Sequence, residues 1–265
     1  MSRSLGDLTS PAVAAAIARS PIAVLPVGSI EQHGPHLPCA TDTLAAELVS
    51  EVLAERLDAL NVPLGPYGVT PLHRGRPGTV SLRRATFEAL VRDVGEELVA
   101  MGVETLVWVN WHEGNSAALE AVGAELQREH GVTAVLAQAC YTAQRVYAGD
   151  GGELTHGGSI ETLAVLAAAP DLLRLDGVAA SERSERGFAV DAMRRGREVH
   201  GFVTDVAELD PAGWYGDPHW ATPQRASAFA ATLADDLARQ VRAVLDVSQG
   251  HESGVMHEKR NDQDG

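Results

Sequence analysis

Residues 22–27 read IAVLPV and residues 105–109 read TLVWV, and these two runs decide the fold class. Each is short, continuously apolar and followed by polar or turn residues. A strand with one wet face alternates apolar and polar side chains, whereas an unbroken run of this length marks a strand covered on both faces, as in a parallel sheet. Around them the period changes from two to 3.6. Leu44, Leu48, Val52, Leu53 and Leu57 fall on one face of a predicted helix over 44–60. Further helices are expected over 12–18, opened by Ser10-Pro11, over 87–101, stopped by Gly102, over about 116–129, and over 160–168 and 223–247. Strands are expected at 62–67 and 132–136, and 176–213 reads as irregular and charged. Strand, loop and helix in alternation predict an α/β fold around a mostly parallel sheet. No repeat or linker divides the chain, so one domain is expected over 1–247, followed by a polar, disordered tail over 248–265.

Composition narrows the function classes. The 265 residues are 45% hydrophobic and carry 21 basic against 36 acidic side chains, a net charge of −15. Such a surface repels phosphate backbones, so neither nucleic-acid nor anionic-membrane binding is expected. The only lysine is Lys259, which removes Schiff-base and Walker-lysine chemistry from the body of the chain. Two cysteines, Cys39 and Cys140, without a CxxC pair exclude an all-thiolate zinc site and fit a cytoplasmic protein. No stretch reaches the roughly 18–20 apolar residues of a membrane span.

The polar residues fall in three clusters. Glu31, His33, His36 and Asp42 follow the first strand, His112 and Glu113 follow the second, and His156 and Glu161 lie in THGGSIET. Ligands of open parallel sheets bind at the carboxyl ends of strands, where two of these clusters begin. Imidazoles and carboxylates without lysine or paired thiolates are the ligand set of Zn, Mn or Fe(II) hydrolytic sites. An aspartate such as Asp42 can offer one oxygen to each of two ions, and water held between them becomes a nucleophile near neutral pH. Each histidine alone reads as a turn residue; together they point to a metal or catalytic site. There is no GxSxG, GxGxxG or HExxH motif, and Cys39 reads as a small buried thiol rather than a nucleophile.

With those residues in view, LPVGSIEQHGPHLPCATDT (25–43) resembles the signature of the creatininase family of metal-dependent amidohydrolases. RPGTVSL (76–82) is similar to the family's FPGT segment, VNWHEGN (109–115) to its NGHGGN motif, HGGSIET (156–162) to HAGxxET and GWYGDPHWAT (213–222) to a GxxGDPxxAT segment. The matches run in family order over nearly the whole chain. The resemblance implies a single-domain, three-layer α/β sandwich. It implies that Glu31, Asp42 and His112 hold one ion, that His33 and Asp42 hold a second with Asp42 bridging, and that His156 shuttles a proton to the leaving nitrogen. The family's namesake has a metal-binding Glu two residues after the equivalent of His112, where this chain has Gly114. Glu161 is therefore expected as the remaining ligand of the second ion, and Glu113 as a supporting or substrate contact. Trp111 is expected to narrow the pocket, and Arg74 and Arg76 to add positive charge at its mouth.

The function so implied is hydrolysis of a cyclic amide, formamide or similar carbon–nitrogen bond by a metal-bound hydroxide. Two divalent ions (Zn, Mn or Fe), a small-molecule or short-peptide substrate and a homo-oligomer, hexameric by resemblance, go with it. Peptide trimming of the mycofactocin type and deformylation of a formamidopyrimidine nucleotide are the alternatives. An amide-forming enzyme and a non-catalytic metal- or ligand-binding subunit are the further ones.

Overall fold

The computed structural model describes residues 3–196 and 198–261. In chain order its elements are α1 (Ser10–Arg19), β1 (Ile22–Val27), α2 (Thr41–Leu57), β2 (Leu60–Asn61), α3 (Arg84–Ala100), β3 (Thr105–Asn110), α4 (Ser116–His130), β4 (Thr133–Gln138), α5 (Ala139–Tyr147), α6 (Ser159–Ala168), α7 (Glu185–Arg194) and α8 (Pro223–Asn261). The four strands form one sheet in the order β2-β1-β3-β4, every neighbour parallel.

Side chains alternate across the sheet into two cores. Val24, Val107, Val109, Val135 and Ala137 face the layer of α2, α5, α6 and α8. Ala23, Leu25, Val27, Leu106 and Trp108 face the layer of α1, α3 and α4. Both faces are dry, which is why β1 and β3 lack polar alternation. The architecture is the expected single α/β domain with three layers.

Pro26 stands in an inner strand, where a missing N–H normally breaks a ladder. In a parallel strand, alternate residues turn their peptide groups to opposite neighbours. The carbonyl of Val24 accepts from Val62 N on the β2 side, and that of Val27 accepts from Trp111 N on the β3 side. Pro26 shares the parity of Val24, and β2 pairs only with Ala23 and Val24. The proline therefore faces the edge beyond the end of β2 and forfeits no ladder bond.

The departures from expectation have physical causes. The strand expected at 62–67 is absent: β2 stops at Asn61, because Pro63 and Pro66 supply no donors, although Val62 and Leu64 remain buried. Helix α7 occupies part of the segment expected to be irregular, capped by Ser184, whose Oγ accepts from Gly187 N at 3.1 Å. Helix α5 follows β4 directly, without a turn residue to announce it. Helix α2 starts at Thr41 rather than Leu44, which puts Asp42 in its first turn. The backbone of α8 continues to Asn261, since extending a formed helix avoids the cost of nucleation. The side chains of the expected tail after Ser248 lie outside the described residues.

Candidate metal centre

The loops after β1 and β3 leave the carboxyl edge of the sheet side by side, because these strands are hydrogen-bonded neighbours in register from Ile22↔Thr105 to Val27↔Asn110. The first loop brings Glu31 and His33, the second His112. Gly28 lets the first turn of α2 close on the end of β1: a Cβ there would sit 2.4 Å from Thr43 N. That approach delivers Asp42. The segment before α6 and its first turn bring His156 and Glu161, and the short turn Pro71–His73 brings His73.

These side chains meet. His112 Nδ1 lies 3.0 Å from Asp42 Oδ2 and 3.4 Å from Glu31 Oε1. His33 Nε2 lies 3.4 Å from both Asp42 Oδ1 and Glu161 Oε2. Asp42 thus turns one oxygen to each imidazole. His156 Nδ1 is 3.6 Å from Glu31 Oε1, and its ring centroid is 4.3 Å from that of His33 and 4.2 Å from that of His73. Glu31, Asp42 and His112 form one cluster able to hold an ion, His33, His156 and Glu161 a second, and Glu31, His73 and His156 a third. The site lines a cavity of about 290 Å³.

Each donor is aimed by a second contact. Ser29 Oγ donates to Asp42 Oδ2 at 2.8 Å, Thr70 Oγ1 donates to Glu31 Oε2, and Gly157 N donates to Glu161 Oε2 at 2.6 Å. His33 Nδ1 donates to the Glu31 carbonyl at 3.0 Å and His112 Nε2 to that of Val69 at 3.0 Å, so each ring turns its other nitrogen to the carboxylates. His156 Nε2 donates to the Gln32 carbonyl at 2.7 Å. The Gln32 side chain is oriented by Gly34 N, which donates to its Oε1, and by the Gly213 carbonyl, which accepts from its Nε2. The same Nε2 donates to His73 Nδ1 at 2.9 Å, which places the His73 proton on Nε2.

Three carboxylates and four imidazoles gathered together, with no lysine or arginine among them, disturb one another strongly. Burial opposes charge on His33, yet the carboxylates of Glu161, Asp42 and Glu31 override it and push its pKa up to about 10. His112 behaves alike beside Glu31 and Asp42 and reaches about 9. Burial raises Glu161 to about 7 and raises Glu31 as well. Burial also raises Asp42, but His33 and His112 outweigh it and the carboxyl is lowered. Burial and the neighbouring His33 push His73 down to about 3 and keep His156 neutral.

The expected residues Glu31, His33, Asp42, His112, His156 and Glu161 are all brought together. Glu113 is not among them: its carboxylate turns away to Tyr141 Oη and Arg194 Nη1. Gly114 holds no Cβ because one would meet Val69 O at 2.1 Å and His112 Nε2 at 2.5 Å. Arg74 is exposed and Arg76 pairs with Asp205 at 3.5 Å, and neither is part of the cavity lining. The arginines in the lining are Arg194 and Arg195, which sequence reading missed along with His73 and Gln32. Trp111 lines the cavity but packs mainly in the core against Phe229. Cys39 is outside the lining, and Cys140, which lines it, has its thiol pKa raised by burial and by Asp42.

The family model described as creatininase, creatinine amidohydrolase, matches residues 6–241. The chain belongs to the creatininase family. It is 30% identical over 247 residues to the mycofactocin precursor peptide peptidase of Mycobacterium tuberculosis, covering 89% of this chain and 91% of that one. It is 34% identical over 200 residues to the creatinine amidohydrolase of Pseudomonas putida, covering 67% and 77%. The solved structure titled "Creatininase Mn" superposes with a TM-score of 0.73 at 27% identity, over 92% of this chain and 98% of that one. As a creatininase-family member the chain is a metal-dependent amidohydrolase, acting on carbon–nitrogen bonds.

Proposed function

We propose that Glu31, Asp42 and His112 hold one divalent ion and that His33, Asp42 and Glu161 hold a second, with Asp42 shared. The observation that carries this is the divided carboxylate of Asp42, 3.4 Å from His33 Nε2 by Oδ1 and 3.0 Å from His112 Nδ1 by Oδ2. The donor set fits. His33 Nε2 is fully buried, makes no hydrogen bond among the described residues and lies 3.4 Å from two carboxylate oxygens, a position that takes a cation, either a proton or a metal ion. Imidazole and carboxylate donors suit Zn, Mn or Fe(II). Such ions, when bound, polarise a carbonyl and lower the pKa of water, which is the chemistry of amide hydrolysis.

The protein's own groups complete the reaction. His156 keeps its Nε2–H on the Gln32 carbonyl, so Nδ1 carries a free lone pair inside the cavity. Its low pKa leaves it neutral, able to accept a proton from the attacking water and pass it to the leaving nitrogen. His73 Nε2–H, fixed by Gln32, faces the same space 3.8 Å from Glu31 Oε1 and can hydrogen-bond a substrate oxygen. The cavity suits a cyclic amide, a formamide or one end of a short peptide. The peptidase relatives support the peptide reading and the Pseudomonas relative the cyclic-amide one. The test pairs two variants: Asp42→Ala should lose both metal and turnover, whereas His156→Ala should keep metal and lose the rate by a hundredfold or more, about the general acid–base contribution. Full turnover in the first variant, or loss of metal in the second, contradicts these roles.

A homo-oligomer is supported by the apolar side chains left in water around α7, with Val199 87%, Phe202 84% and Phe188 56% exposed. A monomer in sedimentation would contradict it. The free thiols of Cys39 and Cys140 support a cytoplasmic location, which fractionation of the source cells would test. No helix among the described residues is long and apolar enough to cross a membrane.

A further inference from the structure

The cavity that holds the buried carboxylates also has a wall of opposite charge. Arg194, the last residue of α7, and Arg195 after it line the cavity together with Glu113 and Tyr141. Arg194 Nη1 donates to Glu113 Oε2 at 3.1 Å, and Tyr141 Oη donates to Glu113 Oε1 at 3.0 Å. Behind them Asp191 accepts from Arg195 Nε at 3.0 Å and from Arg183 Nη1 at 2.7 Å, and Arg194 Nε lies 2.7 Å from its Oδ1.

The charges of this group do not cancel. Among the described residues, Arg183, Arg194 and Arg195 pair with Asp191 and Glu113 alone, which leaves one positive charge over. Arg183 is taken up against the rings of Phe188 and Tyr215, at 4.5 and 4.2 Å from their centroids. Arg195 is not taken up. Its Nη2 stays 3.6 Å from Glu113 Oε2, and among the described residues neither of its Nη atoms donates a hydrogen bond. A guanidinium held at Nε with both Nη atoms idle presents a fork suited to a planar carboxylate. The Arg195 side chain is 42% exposed and is part of the lining, so the surplus charge borders the cavity.

Glu113 follows His112, which faces Glu31 and Asp42, so the arginine wall adjoins the candidate metal centre. Both line one cavity of about 290 Å³, which a single small ligand can span. The rest of the lining is largely apolar, including Leu72, Leu154, Val206 and Leu209. We propose that Arg195, steadied by Arg194, forms a carboxylate subsite, and that the substrates are small amides with a free carboxylate and an apolar side chain, in the class of N-acyl amino acids and short peptides. This assignment rests on the amidohydrolase reading of the cavity, and deepens it from a bond type to a substrate class.

The experiment is calorimetric titration of the metal-loaded full chain with N-formyl-leucine and with its neutral counterpart, N-formyl-leucinamide. The wild type should bind the carboxylate at least tenfold more tightly than the amide. In Arg195→Gln the ratio should collapse toward one, and Arg195→Lys should restore part of it. Equal affinities in the wild type, or no detectable carboxylate binding, overturn the proposal. So does a preference that persists in Arg195→Gln, which would mean that the metal ions alone read the anion. Metal content and circular dichroism of each variant show that the site and fold are intact. Hydrolysis of both probes is followed separately: a wild type that binds with the predicted preference but cleaves no amide would sink the amidohydrolase reading alone. Hydrolysis indifferent to the probe's charge, in wild type and Arg195→Gln alike, would overturn the carboxylate subsite alone.

Discussion

Asp42 is fixed from behind by Ser29, whose Oγ donates at 2.8 Å to Oδ2, the oxygen that also faces His112. A hydroxyl that orients a ligating carboxylate typically contributes ten- to a hundredfold to metal affinity. Ser29→Ala should therefore weaken metal binding by about that factor without altering the fold, as read by competition with a chromophoric chelator; unchanged affinity would show that Asp42 is aimed without it. Much of the site was legible at this scale, because chemistry needs residue types that solvated loops do not concentrate. Glu31, His33, Asp42, His112, His156 and Glu161 stand out in sequence for that reason. Gln32 and His73 did not: a glutamine whose side chain donates to His73 Nδ1 at 2.9 Å and whose carbonyl accepts from His156 Nε2 at 2.7 Å has no signature apart from those contacts. Arg194 and Arg195 were hidden in a charged segment whose helical spacing, Asp191 with Arg194 and Arg195, was the available signal.

Among the elements, β1 and α2 position the centre together through Gly28. Its missing Cβ admits Thr43 N at a distance no side chain tolerates, so Gly28→Ala must push α2 away from the strand end. The expected cost is about 1–3 kcal/mol of stability, the usual range for overpacking, with a larger loss of metal affinity than of stability because Asp42 moves with the helix. Denaturant unfolding with and without metal measures both, and a variant that binds metal normally would contradict this account of α2. β1 and β3 were readable to the residue or nearly so, since burial on both faces leaves an unbroken apolar run. β2 was not, because the apolar residues of 62–67 are buried in irregular backbone where prolines remove the donors, and burial alone does not make a strand. α7 escaped because its apolar Phe188 and Met193 stay exposed and it is held by capping and arginine pairing more than by a buried apolar stripe.

Over the whole molecule the buried charge cluster makes stability depend on pH when metal is removed. The His33 and His112 pKa values rise from 6.5 to about 10 and about 9, so their stabilising protonation is complete below pH 6.5 and lost as pH climbs to 9–10. Glu161, raised from 4.5 to about 7, acts in the same direction at lower pH, because its folded form holds its proton longer than the unfolded chain does. Asp42, lowered, works against this only below its ordinary value of 3.8. The chelated protein should thus lose Tm steadily between about pH 6.5 and 10, while the metal-loaded protein, whose ions replace those protons, should not. A chelated protein with constant Tm across that range would contradict the charge balance described for the site. The α/β class with a mostly parallel sheet was legible from the hydrophobic period, and its three layers from the family resemblance. The convergence of three clusters was legible only as far as neighbouring parallel strands imply it, since the sequence does not state that β1 lies beside β3.

The most direct test of the shared-carboxylate centre is a crystal of the full chain grown with zinc or manganese, with anomalous scattering collected at the metal edge. Two peaks per chain are predicted, one between Glu31 and His112 and one between His33 and Glu161, each in contact with a different oxygen of Asp42. A single peak, or peaks that leave Asp42 untouched, would contradict it.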